Sequence, residues 1–596
     1  MQSSHRFHCT FGIEEQLPRV PLPRLEDSCV RFLEWCAPLL TEDELARTRA
    51  EVEQFLAGPG PGLHAALVAY NESGVASWLD RFWKTRYLGT RARIALNWNF
   101  FFLFADNGES QVDRAAGLIA SAVHYKTCLD AETIPPAVYR GRPQSMVQHK
   151  YLFGTTRIPG FEEDTARTPY SEQEPGPARA RHVVVFYRNN LFRMDVISPG
   201  GKPYAVEDMK AGLRLVMEAG VLRAEDDMAL GALTTKARAE WAASREALCA
   251  LDSANAQALD VVESALFCLC LEDFAPADTH ATCDQLLHGN SGNRWFDKAV
   301  SLIVFADGRA GVNLEHCELD GITTVAFVDA LLTASQRERS GQSGAIAQGP
   351  PLVERVEFVL NDALRKDVRG ANDAFKDYSA GISTHLVCLP DFGSERIKAL
   401  GMSPDAFVQL AYQLAHHRSR GLLGSTYESI GTRHWRHGRT EAMRVVTPEC
   451  VRFVGTMADP SADAMARGEA FRAAAGAHVA RTKQCQAGDA PEQHLAELLL
   501  IHMRRGGEAG DLPVFSSPGW LTMRDAYLST SSASSENIQY FGFGPTGTKN
   551  IGVPYVLLPD RLNIYLSAKC PTAGQMRTFA DRLKEAVFEL EQLLAS

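Results

Sequence analysis

One of the 17 histidines in this chain stands in a setting suited to proton transfer. His316 lies in Glu315-His-Cys-Glu-Leu-Asp320-Gly321, just past a run that reads as a strand, Val312–Leu314. A histidine at a strand end can project into a cleft. Its imidazole, with an ordinary pKa of about 6.5, is matched to taking a hydroxyl proton near neutral pH. Asp320, four residues on, is placed to orient the ring and stabilise the imidazolium. Acyl transfer from a thioester to an alcohol needs such a base, and donors for the oxyanion. Taken alone, a histidine is more often structural than catalytic. Other catalytic signatures are missing from the sequence: no GxSxG elbow, no HExxH, and no GxGxxG opening a helix. Gly542–Lys549 only superficially resembles a phosphate loop, because Thr548 stands where a lysine should follow glycine.

The elements that must position His316 read as mixed α and β. Ser301–Phe305 and Val312–Leu314 flank a turn at 307–311 and deliver the histidine. His182–Tyr187 and Leu191–Val196 form a hairpin pattern around Arg188-Asn189-Asn190. Residues 16–25 are proline-spaced and extended, a helix with Cys29, Phe32 and Leu33 follows, and Thr41-Glu-Asp-Glu starts another by a capping box. Gly58–Gly62 breaks that helix. Ser403-Pro404-Asp405 predicts a helix with Ser403 as N-cap and an apolar face of Phe407, Leu410, Ala411 and Leu414. Leu562–Leu566 alternates as a strand, and the last helix carries Phe579, Leu583, Val587, Leu590 and Leu594. Ile94–Phe104 reads as core; 338–350 and 505–520 read as loops. Strands and helices mixed along the chain predict α/β layers.

Bulk properties narrow the function. At 596 residues the chain needs more than one core, and its net charge of -11 supplies no basic footprint for nucleic acid or an anionic membrane. Thirteen cysteines without a CxxC pair predict reduced, mostly buried thiols. No run reaches the roughly 18 apolar residues of a membrane span, and the first sixteen residues lack a signal-peptide core. We expect an intracellular protein, soluble and most readily cytoplasmic.

Short segments in a fixed order carry a resemblance. They are Arg157-Ile-Pro-Gly160; Asn293-Arg-Trp-Phe-Asp-Lys298 leading to Glu315–Gly321; Ser403–Phe407; Thr426-Tyr-Glu-Ser429 with Gly438-Arg-Thr440; and Ser529-Thr-Ser531 followed by Phe543-Gly-Pro545. From about Leu17 to its end the chain resembles the choline/carnitine O-acyltransferases. The resemblance implies an α/β fold, similar to chloramphenicol acetyltransferase, of two similar domains. Each would be a mixed sheet packed with helices, with the active site in a tunnel between them. It implies N-terminal helices at 17–91 packing with the C-terminal domain, a domain at 92–356 carrying the histidine, and one at 357–596 carrying the substrate motifs. It also implies a monomer with no tightly bound cofactor and no metal. His316 would be the general base acting without an acyl-enzyme, with Asp320 beside it and Ser531 donating to the oxyanion. Lys398, Asp405 and Glu428 fall at thioester-binding positions; a second family lysine is here Ser394. Tyr427, Ser429, Thr440, Gln493, Ser529 and Phe543 fall at acceptor-binding positions, Phe543 beside a trimethylammonium group. Phe541 stands where short-chain enzymes are bulky, which narrows the acyl channel.

The departure that bears on substrate is Gln493. Carnitine enzymes place an arginine there, before His494-Leu495, to hold the carboxylate; glutamine removes the charge and the fork. The spacing from His316 to Asp320-Gly321 is closer to choline enzymes, whereas Thr440 resembles the carnitine branch. Two readings stand near parity. The first is a free-standing carnitine or choline acetyltransferase using acyl-coenzyme A. The second, slightly ahead, is a releasing domain of the kind appended to fungal reducing polyketide synthases, taking an acyl-phosphopantetheine from a carrier protein to esterify a small alcohol or polyol. An inactive binding scaffold is the third.

Overall fold

The computed structural model describes residues 9–334, 346–347 and 349–595; most of the loop expected at 338–350 lies outside them. The chain divides into two compact units. One is Lys84–Ile382 with Ala533–Gly544 and the stretch ending at Glu14; the other is Glu15–Trp83, Ser383–Ser532 and Pro545–Ser596. Each contains a sheet packed with helices, the expected α/β class.

In chain order the strands of the two sheets are β1 (Phe100–Phe104), β2 (His182–Tyr187), β3 (Asn190–Asp195), β4 (Cys268–Leu271), β5 (Val300–Val304), β6 (Ala310–Leu314) and β7 (Val353–Val356). There follow β8 (Ile382–Leu389), β9 (Thr426–Gly431), β10 (Thr440–Arg444), β11 (Leu528–Ser532), β12 (Ile538–Phe543), β13 (Ile551–Leu557) and β14 (Leu562–Lys569). The first unit's eight-stranded sheet runs β7-β3-β2-β4-β5-β6-β1-β12. Its centre is parallel, β2 beside β4 and β4 beside β5, and the rest is antiparallel. Every residue of β1, β2, β4, β5 and β6 is buried, as their near-continuous apolar runs demand of strands covered on both faces. β2 and β3 form the expected hairpin, turned by Arg188 and Asn189 at φ 51° and 63°. Left-handed geometry at both central positions matches the right-handed strand twist, and asparagine tolerates it well. Between β5 and β6, Gly308 sits at φ +86°, where a Cβ would lie 1.9 Å from the Glu109 carbonyl oxygen. That tight return delivers His316 beyond the end of β6.

The second unit's six-stranded sheet runs β8-β14-β13-β11-β9-β10. One of its faces packs on the helices Pro404–Arg420 and Ala573–Ala595, whose expected apolar faces, Phe407, Leu410, Ala411, Leu414, Phe579, Leu583, Val587 and Leu590, share one core. The capping box at Thr41 is present, with reciprocal bonds between Thr41 and Glu44. Three expectations need correction. Ser403 occupies the N-cap position, but its side chain makes no capping bond. The expected break at Gly58–Gly62 spans only Gly58 and Pro59, because another helix, Gly60–Glu72, starts inside it with Pro61 in its first turn, where the missing N–H costs nothing. The supposed loop at 505–520 contains helical turns at Ala509–Asp511 and Pro513–Ser516 and runs into a helix, Pro518–Arg524, capped by Ser517. None of the thirteen cysteines forms a disulfide. Among the described residues no helix is long and apolar enough to cross a membrane.

A buried histidine ties the N-terminal helices of the second unit to the helix Glu492–Arg504. His494 Nδ1 lies 2.7 Å from Ser28 Oγ, and its Nε2 lies 3.1 Å from His64 Nδ1. Burial, with His64 adding, pushes His494 from the ordinary 6.5 down to about 3; burial and Arg420 push His416 down to about 4. Both stay neutral in the folded protein while the unfolded chain takes up protons below pH 6.5. Their contribution to stability is therefore complete above that pH and is lost as pH falls toward 4 and 3. Each should cost about 1.4 kcal/mol per pH unit across that window. The urea midpoint is expected to drop between pH 7 and pH 5, and His494→Gln should flatten the drop. An unchanged midpoint over that range would contradict the assignment.

Candidate active site

His316 leaves β6 with its side chain about a quarter exposed, facing Asp320 across 3.5 Å between Nδ1 and Oδ1. That separation supports charge stabilisation more than a short hydrogen bond. Asp320 is buried and caps the N-terminal end of the helix Gly321–Thr333 in position but not by its side chain, which leaves the carboxylate for other partners. Gln148, which sequence reasoning missed, holds it. The Gln148 amide donates to Asp320 Oδ2 at 2.7 Å, while its oxygen accepts from the Asp320 N–H and from the Thr323 hydroxyl, each at 2.9 Å. The ring of Tyr87 stacks on the imidazole at 4.8 Å between centroids, and Phe100 meets it edge-on at 5.1 Å.

Phe100 also begins an aromatic wall. β1 and β12 pair so that Phe100 faces Phe543 and Phe102 faces Phe541. The Phe541 ring lies 5.4 Å from Phe102, 5.6 Å from Phe543 and 6.1 Å from Phe100. Phe541 is thus part of a packed cluster that reaches the His316 ring through Phe100. A bulky residue here removes space on this side of the histidine.

In the second unit, strand register sorts the remaining candidates onto two faces. Parallel β9 and β11 set Tyr427 beside Ser529; antiparallel β9 and β10 set Gly431 beside Thr440 and Tyr427 beside Arg444. Residues paired across a sheet share a face, and so do alternate residues along a strand. Tyr427, Ser429, Thr440, Ser529 and Ser531 therefore lie on one face, with Arg444. Ser529 is fixed by the fully buried Asn550, whose amide donates to its oxygen at 3.0 Å, and by Thr546 at 2.9 Å. Gln493 is buried and donates from Nε2 to the Thr440 carbonyl at 2.8 Å. A carbonyl only accepts, so the amide nitrogen must point at it, which leaves Oε1 buried without a protein partner. The neighbouring Glu492 grips Arg444 with two bonds of 2.7 Å, both side chains buried. Arg444 in turn lies 5.5 Å over the Tyr427 ring. The buried cation nearest Gln493 in this register is therefore already neutralised.

The opposite face carries two of the thioester candidates. Glu428 and Asp405 meet there with His478 and Tyr555. His478 Nε2 is 3.1 Å from Asp405 Oδ2 and 3.6 Å from Glu428 Oε2, and the Tyr555 hydroxyl donates to Asp405 Oδ1 at 2.7 Å. Burial and then Asp405 hold the Glu428 carboxyl well above the usual carboxylate range. Burial also works against an ionised Asp405, but His478 and Tyr555 outweigh it and keep this carboxyl below its usual value. The two carboxyls are thus pushed apart, Glu428 toward its protonated form and Asp405 toward its ionised one. The three ligand-type atoms lie within 4.8 Å of one another, close enough to hold an ion, and His478 and Tyr555 already engage Asp405. Lys398 stands apart from them, exposed on the short helix Ser394–Ala399.

Residues 20–585 match the family described as Choline/Carnitine o-acyltransferase. Relatives along the whole chain include the mitochondrial carnitine O-palmitoyltransferase 2 of Rattus norvegicus, 29% identical and covering 95% of this chain and 90% of the relative. The peroxisomal carnitine O-octanoyltransferase of Homo sapiens is 30% identical over 97% of this chain and 96% of its own, and the carnitine O-acetyltransferase of Rattus norvegicus 27% over 98% and 94%. The chain belongs to the choline/carnitine O-acyltransferase family. It is an enzyme, an O-acyltransferase.

Proposed function

We propose that this enzyme moves an acyl group from a pantetheine thioester directly onto the hydroxyl of a small alcohol whose far end is neutral, with His316 as general base. In this reading His316 takes the hydroxyl proton as the oxygen attacks the thioester carbonyl. Ser531 donates to the oxyanion, Asp320 stabilises the imidazolium, and the departing thiolate takes the proton back. Phe541 narrows the acyl side and favours short or unusually routed chains. One observation carries the acceptor's polarity: Gln493 is uncharged and commits one of its two amide N–H groups to the Thr440 carbonyl, so it supplies neither the charge nor the fork that a carboxylate needs, while a hydroxyl needs neither. The donor is acyl-coenzyme A or an acyl carrier protein. Lys398 with Ser394 in place of a second lysine supports the carrier protein, and polyketide release is the narrower form of this reading.

A second reading, carnitine itself as acceptor, draws support from the names of all three relatives and from Thr440. Acetyl-coenzyme A and acetyl-pantetheine, each supplied with carnitine, choline and glycerol, separate the two. Ester formation on glycerol with a kcat/KM above that of carnitine is the expected result. Carnitine as the preferred acceptor would replace the first reading with the second.

A further inference from the structure

Around the segment that carries His316, the first unit buries a charged network that the reaction as written does not use. Arg157, with no side-chain exposure, donates from Nε to Asp164 Oδ2 at 2.6 Å, from Nη1 to Glu315 Oε1 at 3.1 Å, and from Nη2 to the Tyr87 carbonyl at 2.5 Å. Two of these three grips lead to the catalytic ring. Tyr87 carries the aromatic ring stacked on His316. Glu315 is the residue before His316, and its second oxygen accepts from the N–H of Cys317, the residue after, at 3.0 Å. One guanidinium thus fixes the backbone on both sides of the histidine and the plate that covers its face.

The network is closed behind Arg157. Arg238 donates to Asp164 Oδ2 at 2.6 Å and to Asp297 Oδ1 at 2.7 Å, Trp241 donates to Asp297 Oδ2 at 2.7 Å, and Arg91 reaches Asp164 Oδ1 at 3.0 Å. Arg91, Arg157 and Arg238 face Asp164, Asp297 and Glu315, so the charges cancel. Buried ion pairs seldom stabilise a fold beyond what apolar packing would give, and are better understood where they fix one geometry. Here the geometry they fix is that of the segment carrying His316, whose side chain is 27% exposed.

We propose that Arg157 is a positioning residue for the reaction, holding the His316 ring in its reactive orientation through Glu315 and Tyr87. The inference rests on His316 being the base. A planar fork with donors in three directions is required, because an ammonium is a point charge that cannot keep all three bonds in fixed geometry.

The test uses the full chain with Arg157→Lys, Glu315→Gln, the double variant and His316→Ala, acetyl-coenzyme A as donor, and carnitine, choline and glycerol as acceptors. The unaltered chain and each variant that keeps His316 are also labelled with diethylpyrocarbonate, and modification of His316 is followed by peptide mass spectrometry against half-exposed His280. Each single variant should lower kcat by about 10–100-fold with KM little changed, since misplacing a reacting group by an ångström costs that much. The double variant should be no worse than the poorer single, because the two act through one path. Labelling of His316, but not His280, should become several-fold faster. Glu315→Gln is the milder change and decides the matter if Arg157→Lys does not fold. Unchanged kcat and unchanged labelling in folded Glu315→Gln would overturn the inference, as would independent, multiplying effects. Full turnover by His316→Ala would instead remove the base assignment, while the labelling still reports on Arg157.

Discussion

Replacing Gln493 with arginine is expected to raise kcat/KM for carnitine by about 10–100-fold and to lower turnover of a neutral polyol. A hydrogen bond to a charged group contributes about 1.5–3 kcal/mol, and each 1.4 kcal/mol is about tenfold. Carboxylate and guanidinium pair through two parallel bonds, which adds orientation to attraction. The site can receive the new side chain without losing its existing bond, because an arginine N–H can still donate to the Thr440 carbonyl where Gln493 Nε2 does now. The buried Arg444–Glu492 pair is the neighbour to watch. A competing arginine that drew Glu492 away would loosen β10 and show as a lowered melting temperature. Steady-state kinetics with both acceptors, alongside thermal unfolding, read these effects separately. A folded variant with unaltered carnitine kinetics would mean that Gln493 does not face the acceptor.

The local geometry around His316 was legible because its signals are local. The turn before β6, the histidine beyond it and the aspartate four residues on lie within one short segment, so spacing alone relates them. The β2–β3 hairpin and the capping box at Thr41 are local in the same way. The groups that hold the site were not legible, because each meets its partner only after distant segments have paired. Gln148 reaches Asp320 across 172 positions and Arg157 reaches Glu315 across 158. Nothing in either neighbourhood announces the other. The same holds for β12, a late strand that pairs with β1 and so brings Phe541 and Phe543 beside Phe100 and Phe102. Strand register gives the physical reason for one division already made along the chain: alternation sends Glu428 to the face opposite Tyr427 and Ser429, toward Asp405 and His478. One missed element did carry a signal. Ser517-Pro518 repeats the helix-start pattern of Ser403-Pro404, and it is Ser517 whose side chain makes the capping bond.

The second large effect belongs to His316. Asp320 is poorly placed to take over the role proposed for His316, being buried and engaged by Gln148. The thiol of Cys317 is pushed well above its ordinary pKa by burial and then by Glu315, which keeps it protonated and poorly nucleophilic. Removing the imidazole therefore removes the proton acceptor while leaving the residues proposed to bind donor and acceptor in place. General-base catalysis contributes about 10²–10⁴-fold, and the whole of that loss should fall on kcat, with KM for both substrates changed little. The measurement that tests the account most directly is the kcat of His316→Ala beside that of the unaltered chain, with acetyl-coenzyme A and the acceptor it uses best. The account predicts a fall of about a thousandfold; a His316→Ala enzyme that still turns over at the original rate would contradict it.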